Sequence, residues 1–410
     1  MEPILERCCG LDVHQATVTA CLLIGAADTN PRKVIRTFST HTRALVALRD
    51  WLVSEGCTHV GMESTGISWQ PVYAILEGVC ELSVGNAQHI KHVPGRKTDV
   101  KDSEWLAELG RQGLMAKSFV PPQPFRELRE LLRYRRKLIE SRTTSRNRVL
   151  RLLETANVKL ASIASNVFGV SGMHMLRALV RGGTSPQELA QLAKGALRKK
   201  TVALALALEG HVEDHHRFVL DLQLRQLDHL ESLLAELDQR IEEKLQPVQP
   251  AHQRLMQIPG VDRIVAAVLL SELGTDMQVF KSAHHAAAWA GVCPGNNESA
   301  GHQREGRVRK GNLHLKTMLV QAAHAAVRHR PSYLHAKFLR LRTRRGPQRA
   351  AMAIAHKILI AAYHLRSTGQ PYRDLGETYL DQLNKARLAK QLVRRLTHLG
   401  YDVQVHPSGA

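Results

Sequence analysis

Residues 6–84 alternate short apolar runs with polar breaks, at the lengths of strands and short helices. Residues 6–24 read as two strands about a tight turn near His14-Gln15, and residues 33–39 as a third. From Thr42 to Ser54 apolar residues recur at three- and four-residue steps, which predicts an amphipathic helix. Thr58 to Met62 is an apolar strand ending at Glu63. A helix is expected from about Ser68 to Leu76 and a fifth strand from Cys80 to Val84. Three consecutive strands followed by alternating helix and strand predict an RNase H-like α/β layer, in which the first strand lies beside a later parallel one. A further helix, continuing through Ser103 to Leu109, closes this region.

Pro121, Pro122 and Pro124 interrupt the chain, and from Phe125 the pattern is helical through Leu160. A turn-rich stretch from Gly169 to Pro186 comes next, then a long helix from His216 to Gln246. In that helix Leu227, Leu230, Leu234, Leu237 and Ile241 form a seam of about two heptads. The seam predicts a dimerising coiled coil, although a helix packed within its own subunit carries the same stripe. Pro247 and Pro250 mark the next boundary. Beyond it, Ile258-Pro-Gly-Val261 between two helical runs is similar to a helix-hairpin-helix turn or to an ordinary interhelical corner. The expected organisation is an α/β segment over 1–118, a basic helical and coiled-coil region over 119–250, a mainly α-helical segment over 251–375 and a helical tail over 376–410.

Charge sharpens this division. The 410 residues carry a net charge of +20, so the natural partner is a polyanion. Residues 1–118 are nearly neutral, with 12 Lys/Arg against 13 Asp/Glu, whereas residues 119–160 hold 11 against 4 and residues 301–349 hold 13 against 1. The cations therefore lie outside the α/β segment. Arg133, Arg135 and Arg136 in the first basic tract, and Arg304, Arg307, Arg309 and Lys310 in the second, are the candidate nucleic-acid contacts. No apolar stretch is long enough to span a bilayer, and the first residues do not form a signal peptide. The six cysteines show no CxxC spacing, so reduced, buried thiols are expected. His215-His216 and His284-His285 lack a ligand spacing, and solvated or core roles are expected for them.

Against this background four carboxylates stand out. Asp12 and Glu63 sit at the ends of predicted strands, and Asp99 and Asp102 share one helical face. Such a set suits hard divalent cations, two of which about 4 Å apart can hold the attacking and leaving oxygens of a phosphodiester displacement. Glu104 leaves the Asp99 face and is the weaker fourth ligand. A second constellation lies in the Gly-rich, basic stretch 289–316, where Ser299 precedes Arg304, Arg307, Arg309 and Lys310. These residues alone leave Ser299 open between an activated nucleophile and a turn residue.

The segments Gly10-Leu-Asp-Val-His14, Met62-Glu-Ser-Thr-Gly66 and Lys97-Thr-Asp-Val-Lys-Asp102, followed by Ile258-Pro-Gly-Val, Gly291-Val-Cys-Pro-Gly and Arg309-Lys-Gly-Asn312, resemble in order the transposases of the insertion-sequence 110 family. The resemblance covers most of the chain and implies a RuvC-like DEDD domain followed by a C-terminal transposase domain. It implies that Asp12, Glu63, Asp99 and Asp102 bind Mg²⁺ or Mn²⁺, and that Ser299 is the nucleophile joining DNA covalently. It further implies a bacterial, cytoplasmic recombinase, nucleoid-associated when bound, that excises and inserts a mobile element. Its expected partners are double-stranded donor and target DNA and a structured, element-encoded guide RNA. A homodimer assembling into a tetramer is expected, with the acids of one subunit meeting Ser299 of another.

Two rivals remain at this level. A RuvC-like structure-specific endonuclease, such as a Holliday-junction resolvase, would use the same acids with water as nucleophile. A non-catalytic nucleic-acid-binding descendant would need neither constellation. A metabolic kinase or sugar-phosphate ATPase with a related α/β core is the least supported, because no Gly-x-x-x-x-Gly-Lys-Ser/Thr loop occurs and such enzymes gain nothing from this charge.

Overall fold

The computed structural model describes residues 5–26, 30–64, 66–85, 102–115, 117–274, 276–294, 298–299, 302–303, 308 and 311–405. The chain divides into two compact units, Met1–Val120 and Pro121–Ala410.

The first unit is built on a five-stranded sheet. Its strands are β1 (Arg7–Val13), β2 (Thr17–Ile24), β3 (Arg32–Ser39), β4 (His59–Glu63) and β5 (Glu81–Gly85), in the order β3-β2-β1-β4-β5. β1 pairs antiparallel with β2 and parallel with β4, which pairs parallel with β5. This is the mixed sheet that the strand pattern predicts, consistent with an RNase H-like layer. Alternation along the strands assigns the two faces. Cys9 and Leu11, Ala20 and Leu22, and Val60 and Met62 join one core with Leu45, Leu48, Trp51 and Leu52 of α1 (Thr42–Ser54) and Val72 and Leu76 of α2 (Trp69–Leu76). On the opposite face Cys21 and Leu23 pack against Ala107 of α3 (Asp102–Arg111). Burial pushes the Cys8 thiol up to about 12 and the Cys21 thiol up to about 11, so both behave as small apolar side chains.

The second unit is helical. Its longest elements, α4 (Gln123–Thr155) and α5 (Asp214–Leu245), lie antiparallel: Arg142 and Arg146 pair with Glu231, whereas Arg135, earlier in α4, pairs with Asp238, later in α5. The leucine seam is filled inside the chain. Leu230 and Leu234 are buried against Leu138, with Leu237 beside them, and Leu227 joins the core around Val149 and Leu153. The stripe is thus the intrasubunit packing that a heptad pattern permits equally well.

The stretch Gly169 to Pro186, expected to be turns, instead contains a helix over Val170–Arg181 that buries Met175, Leu176 and Leu179. Gly172 is there because a Cβ would stand 1.9 Å from the Val167 carbonyl oxygen, so it marks close packing.

Further along, α6 (Gln249–Met256) and α7 (Arg263–Leu273) flank the Ile258–Val261 turn. Asp262 caps α7 by accepting from the Val265 N–H at 2.8 Å. Gly260 has φ +82°, and its missing Cβ would lie 2.2 Å from the Ala322 carbonyl oxygen, so packing requires glycine in this corner. The remaining long helices are α8 (Leu313–Ala326), α9 (Tyr333–Arg345), α10 (Pro347–Thr368) and α11 (Lys385–His398). Among the described residues no helix is long and apolar enough to cross a membrane.

Candidate active site

Two glycines decide how the acids are arranged. Gly10 and Gly61 are opposite one another in the β1–β4 pairing, on the sheet face that carries α3. A Cβ at Gly10 would lie 2.1 Å from the Ser103 carbonyl oxygen and 2.3 Å from the Ala107 nitrogen. A Cβ at Gly61 would meet the Met115 methyl at 2.8 Å and the Leu106 carbonyl oxygen at 3.5 Å. The α3 backbone therefore lies directly on the β1 backbone at Gly10. Two residues on, and hence on the same face, stand Asp12 and Glu63. Leu11 and Met62, between glycine and acid, are fully buried on the other side. Asp102 opens α3 immediately before Ser103, so it starts above the strand ends that carry Asp12 and Glu63. All three acids are partly exposed.

His14 Nε2 lies 3.1 Å from Asp12 Oδ2, placing an imidazole at the edge of this carboxylate group. Glu104 is held elsewhere, by Lys33 of β3 at 2.9 Å, and that contact raises the lysine's pKa. Asp99 lies outside the described residues, as do Arg304, Arg307, Arg309 and Lys310.

The second constellation is a clamped hairpin. Glu298–Ser299 pairs antiparallel with His302–Gln303, Ser299 opposite His302, and Pro294 bridges to Val308. At its base Gly311 presses against Gly291, where a Cβ would stand 2.5 Å from the Gly291 nitrogen and 2.7 Å from the Trp289 carbonyl oxygen. The Asn312 N–H donates to the same Trp289 oxygen at 3.3 Å. Both ends of the serine segment are thereby tied together.

Comparison with known proteins bears on both constellations. Residues 9–158 match a family of the IS110 DEDD type described as Transposase, and residues 252–338 match one described as Transposase IS116/IS110/IS902 family. Together these take in more than half of the chain. The chain belongs to the insertion-sequence 110 family of transposases. It is 26% identical over 300 residues to the transposase for insertion sequence element IS1111A of Coxiella burnetii, covering 70% of this chain and 71% of that one. It is 29% identical over 186 residues to the y4pF/y4sB transposase of Sinorhizobium fredii, a match spanning 44% of this chain and about half, 48%, of that protein.

DEDD-type domains of such transposases use divalent metals. Asp12, Glu63 and Asp102 offer only carboxylate oxygen, the donor type that hard cations such as Mg²⁺ take, so the residues fit the group. Three of the arginines expected to contact nucleic acid each have an acidic neighbour in this chain. Arg133 pairs with Glu272, Arg135 with Asp238 and Arg136 with Glu140. Arg133 is still half-exposed. A separate cluster forms where spacing along the chain pointed to none: Glu213, His215 and His216 bring ligand atoms within 4.8 Å of one another. The helix start does this, since His216 Nδ1 accepts from the Glu213 N–H at 3.2 Å.

Proposed function

We propose that this IS110-family protein is a DNA recombinase that excises and inserts a mobile element, with Asp12, Glu63, Asp99 and Asp102 as metal ligands and Ser299 as nucleophile. The observation that carries the reading is the paired Gly-x-acid geometry, in which Asp12 and Glu63 share the sheet face on which α3 begins with Asp102. Mg²⁺ or Mn²⁺ bound there would neutralise and orient the scissile phosphate.

The chain's own residues supply the rest. The Ser299 hydroxyl gives up its proton and its oxygen attacks phosphorus. A phosphoserine ester forms as the bond to one deoxyribose oxygen breaks, and that oxygen leaves protonated as a free hydroxyl. Rejoining reverses the step with a different DNA hydroxyl, so the bond energy is conserved. The basic tracts over 119–160 and 301–349 would hold DNA and a structured guide RNA through their phosphates, in a homodimer that assembles into a tetramer.

The test is a denaturation-resistant protein–DNA adduct, formed on the element's junction DNA with its RNA and Mg²⁺. Wild type is expected to form it, and Ser299→Ala and Asp12→Ala to lose it. Cutting that persists in Ser299→Ala, with no adduct in any sample, would overturn serine joining in favour of activated water.

A further inference from the structure

Bonded to Asn312, just after the serine hairpin in the chain, is a carboxylate that the proposed chemistry does not use. Glu272 is fully buried, in a run of α7 (Val265 to Leu273) that is otherwise almost wholly apolar. A buried charge survives only when it is paired and its lone pairs are engaged. Here Arg133 donates to Glu272 Oε1 at 2.9 Å, and Arg129 Nε lies 2.9 Å from Oε2. Arg129 also donates to the backbone carbonyls of Ser271 and Glu272, both at 3.3 Å. Asn312 adds a further contact, its Nδ2 donating to Glu272 Oε2 at 2.7 Å.

Asn312 has no alternative orientation for that bond. Its Oδ1 accepts from the Leu315 N–H at 3.1 Å to cap α8, which leaves only the NH₂ to face Glu272. Its backbone N–H meanwhile holds Trp289 across the base of the hairpin. One residue thus joins the hairpin, the following helix and the buried charge.

We propose that Glu272 is a positioning residue for strand joining: acting through Asn312, it fixes the base from which the Ser299 hairpin projects. The proposal rests on Ser299 being the nucleophile. Amide replacement exposes the dependence. In Glu272→Gln one of the two acceptor positions becomes an NH₂, which faces donors whichever way it turns: Arg133 at one position, or Arg129 and Asn312 at the other. In Asn312→Asp two carboxylates meet instead. Glu272→Gln combined with Asn312→Asp reverses the bond. The introduced amide then donates to the introduced carboxylate, which still caps α8 and keeps a negative charge beside the arginines, while Arg129, facing the same position, retains its bonds to the backbone carbonyls of residues 271 and 272.

The experiment uses the full chain with its RNA, junction DNA and Mg²⁺. It follows the rate of adduct formation alongside DNA binding and melting temperature in wild type, Ser299→Ala, both single variants and the double. Each single variant is expected to form adduct about 10- to 100-fold more slowly while binding DNA like wild type. The double is expected to recover at least fivefold over either. An adduct rate in Glu272→Gln equal to wild type overturns the proposal. If that variant does not fold, a folded double that joins no faster than Asn312→Asp overturns it equally. Absence of any adduct from wild type would instead strike the Ser299 reading, so the two failures are distinct.

Discussion

The contact between Gly10 and α3 allows a sharp test of how the acidic site is built. In Gly10→Ala the new methyl would stand 2.1 Å from the Ser103 carbonyl oxygen and 2.3 Å from the Ala107 nitrogen. Both are backbone atoms of one helix, so no side chain can turn aside. Restoring a separation of about 3.5 Å moves that helix away by roughly 1 Å or more. Overpacking of this kind costs about 1–3 kcal/mol. At about 4 °C per kcal/mol, melting of the first unit should fall by roughly 4–12 °C. The same displacement lifts Asp102 relative to Asp12 and Glu63, and a 1 Å misplacement of reacting groups can lower a rate about 10²-fold.

Gly61→Ala is the control. Its methyl meets chiefly the flexible end of Met115, and the nearest helix backbone atom is 3.5 Å away, so cutting should change by no more than a few-fold. Metal-dependent strand cutting on a denaturing gel, paired with circular-dichroism melts, reads both effects. Wild-type cutting by a folded Gly10→Ala would refute the reasoning, as would equal losses in the two variants.

Two further expectations concern the second unit. Leu234→Ala should destabilise the α4–α5 hairpin by about 2–5 kcal/mol in chemical denaturation. Because Leu138 and Leu230 of the same chain line that site, the loss should not depend on protein concentration, and a concentration-dependent loss would place the seam between subunits. His314 is held below its ordinary value, chiefly by burial, with Glu272 opposing and Arg133, Arg136 and Arg129 reinforcing the shift. On acidification the unfolded chain takes up this proton first, so the contribution is present above about pH 6.5 and fades as pH falls. Melting temperature should therefore drop less between pH 7 and pH 5 in His314→Gln than in wild type, and identical slopes would sink the idea.

Much of the first unit was legible in the sequence because its strands alternate cleanly. Cys9, Leu11 and Leu22 face one core while Cys21 and Leu23 face the other, and a period of two reveals that without coordinates. The second unit was harder to read. Its leucine seam has the same spacing whether the partner helix belongs to a second subunit or, as found, to α4. Gly172 resembles a turn residue until the Val167 carbonyl beneath it is seen. Arg133 and Arg135 show in the sequence only as cations of a basic tract, and that Glu272 and Asp238, more than 100 residues away, lie beside them is set by the fold. Charge counts along a chain register the cations but not the pairing that folding imposes on them.

The same limit explains why the residues beside the chemistry were harder to see than the acids themselves. Gly10-Leu-Asp12 and Gly61-Met-Glu63 are one arrangement used twice. The glycine leaves room for what packs on that face, the α3 backbone at Gly10 and chiefly Met115 at Gly61; the apolar residue anchors the strand in the core, and the acid emerges on the glycine's face. Gly311-Asn312 follows a related logic, with the glycine admitting Gly291 and the asparagine tying the hairpin base to Glu272. At Gly10 and Gly311 the glycine is needed for the close approach of a second backbone rather than for a turn, whereas Gly61 faces chiefly the end of Met115. What gave the motifs their specificity was therefore the acid or asparagine joined to a glycine at fixed spacing. The pairing implies that enlarging Gly10 or Gly311 should disable chemistry that neither residue touches.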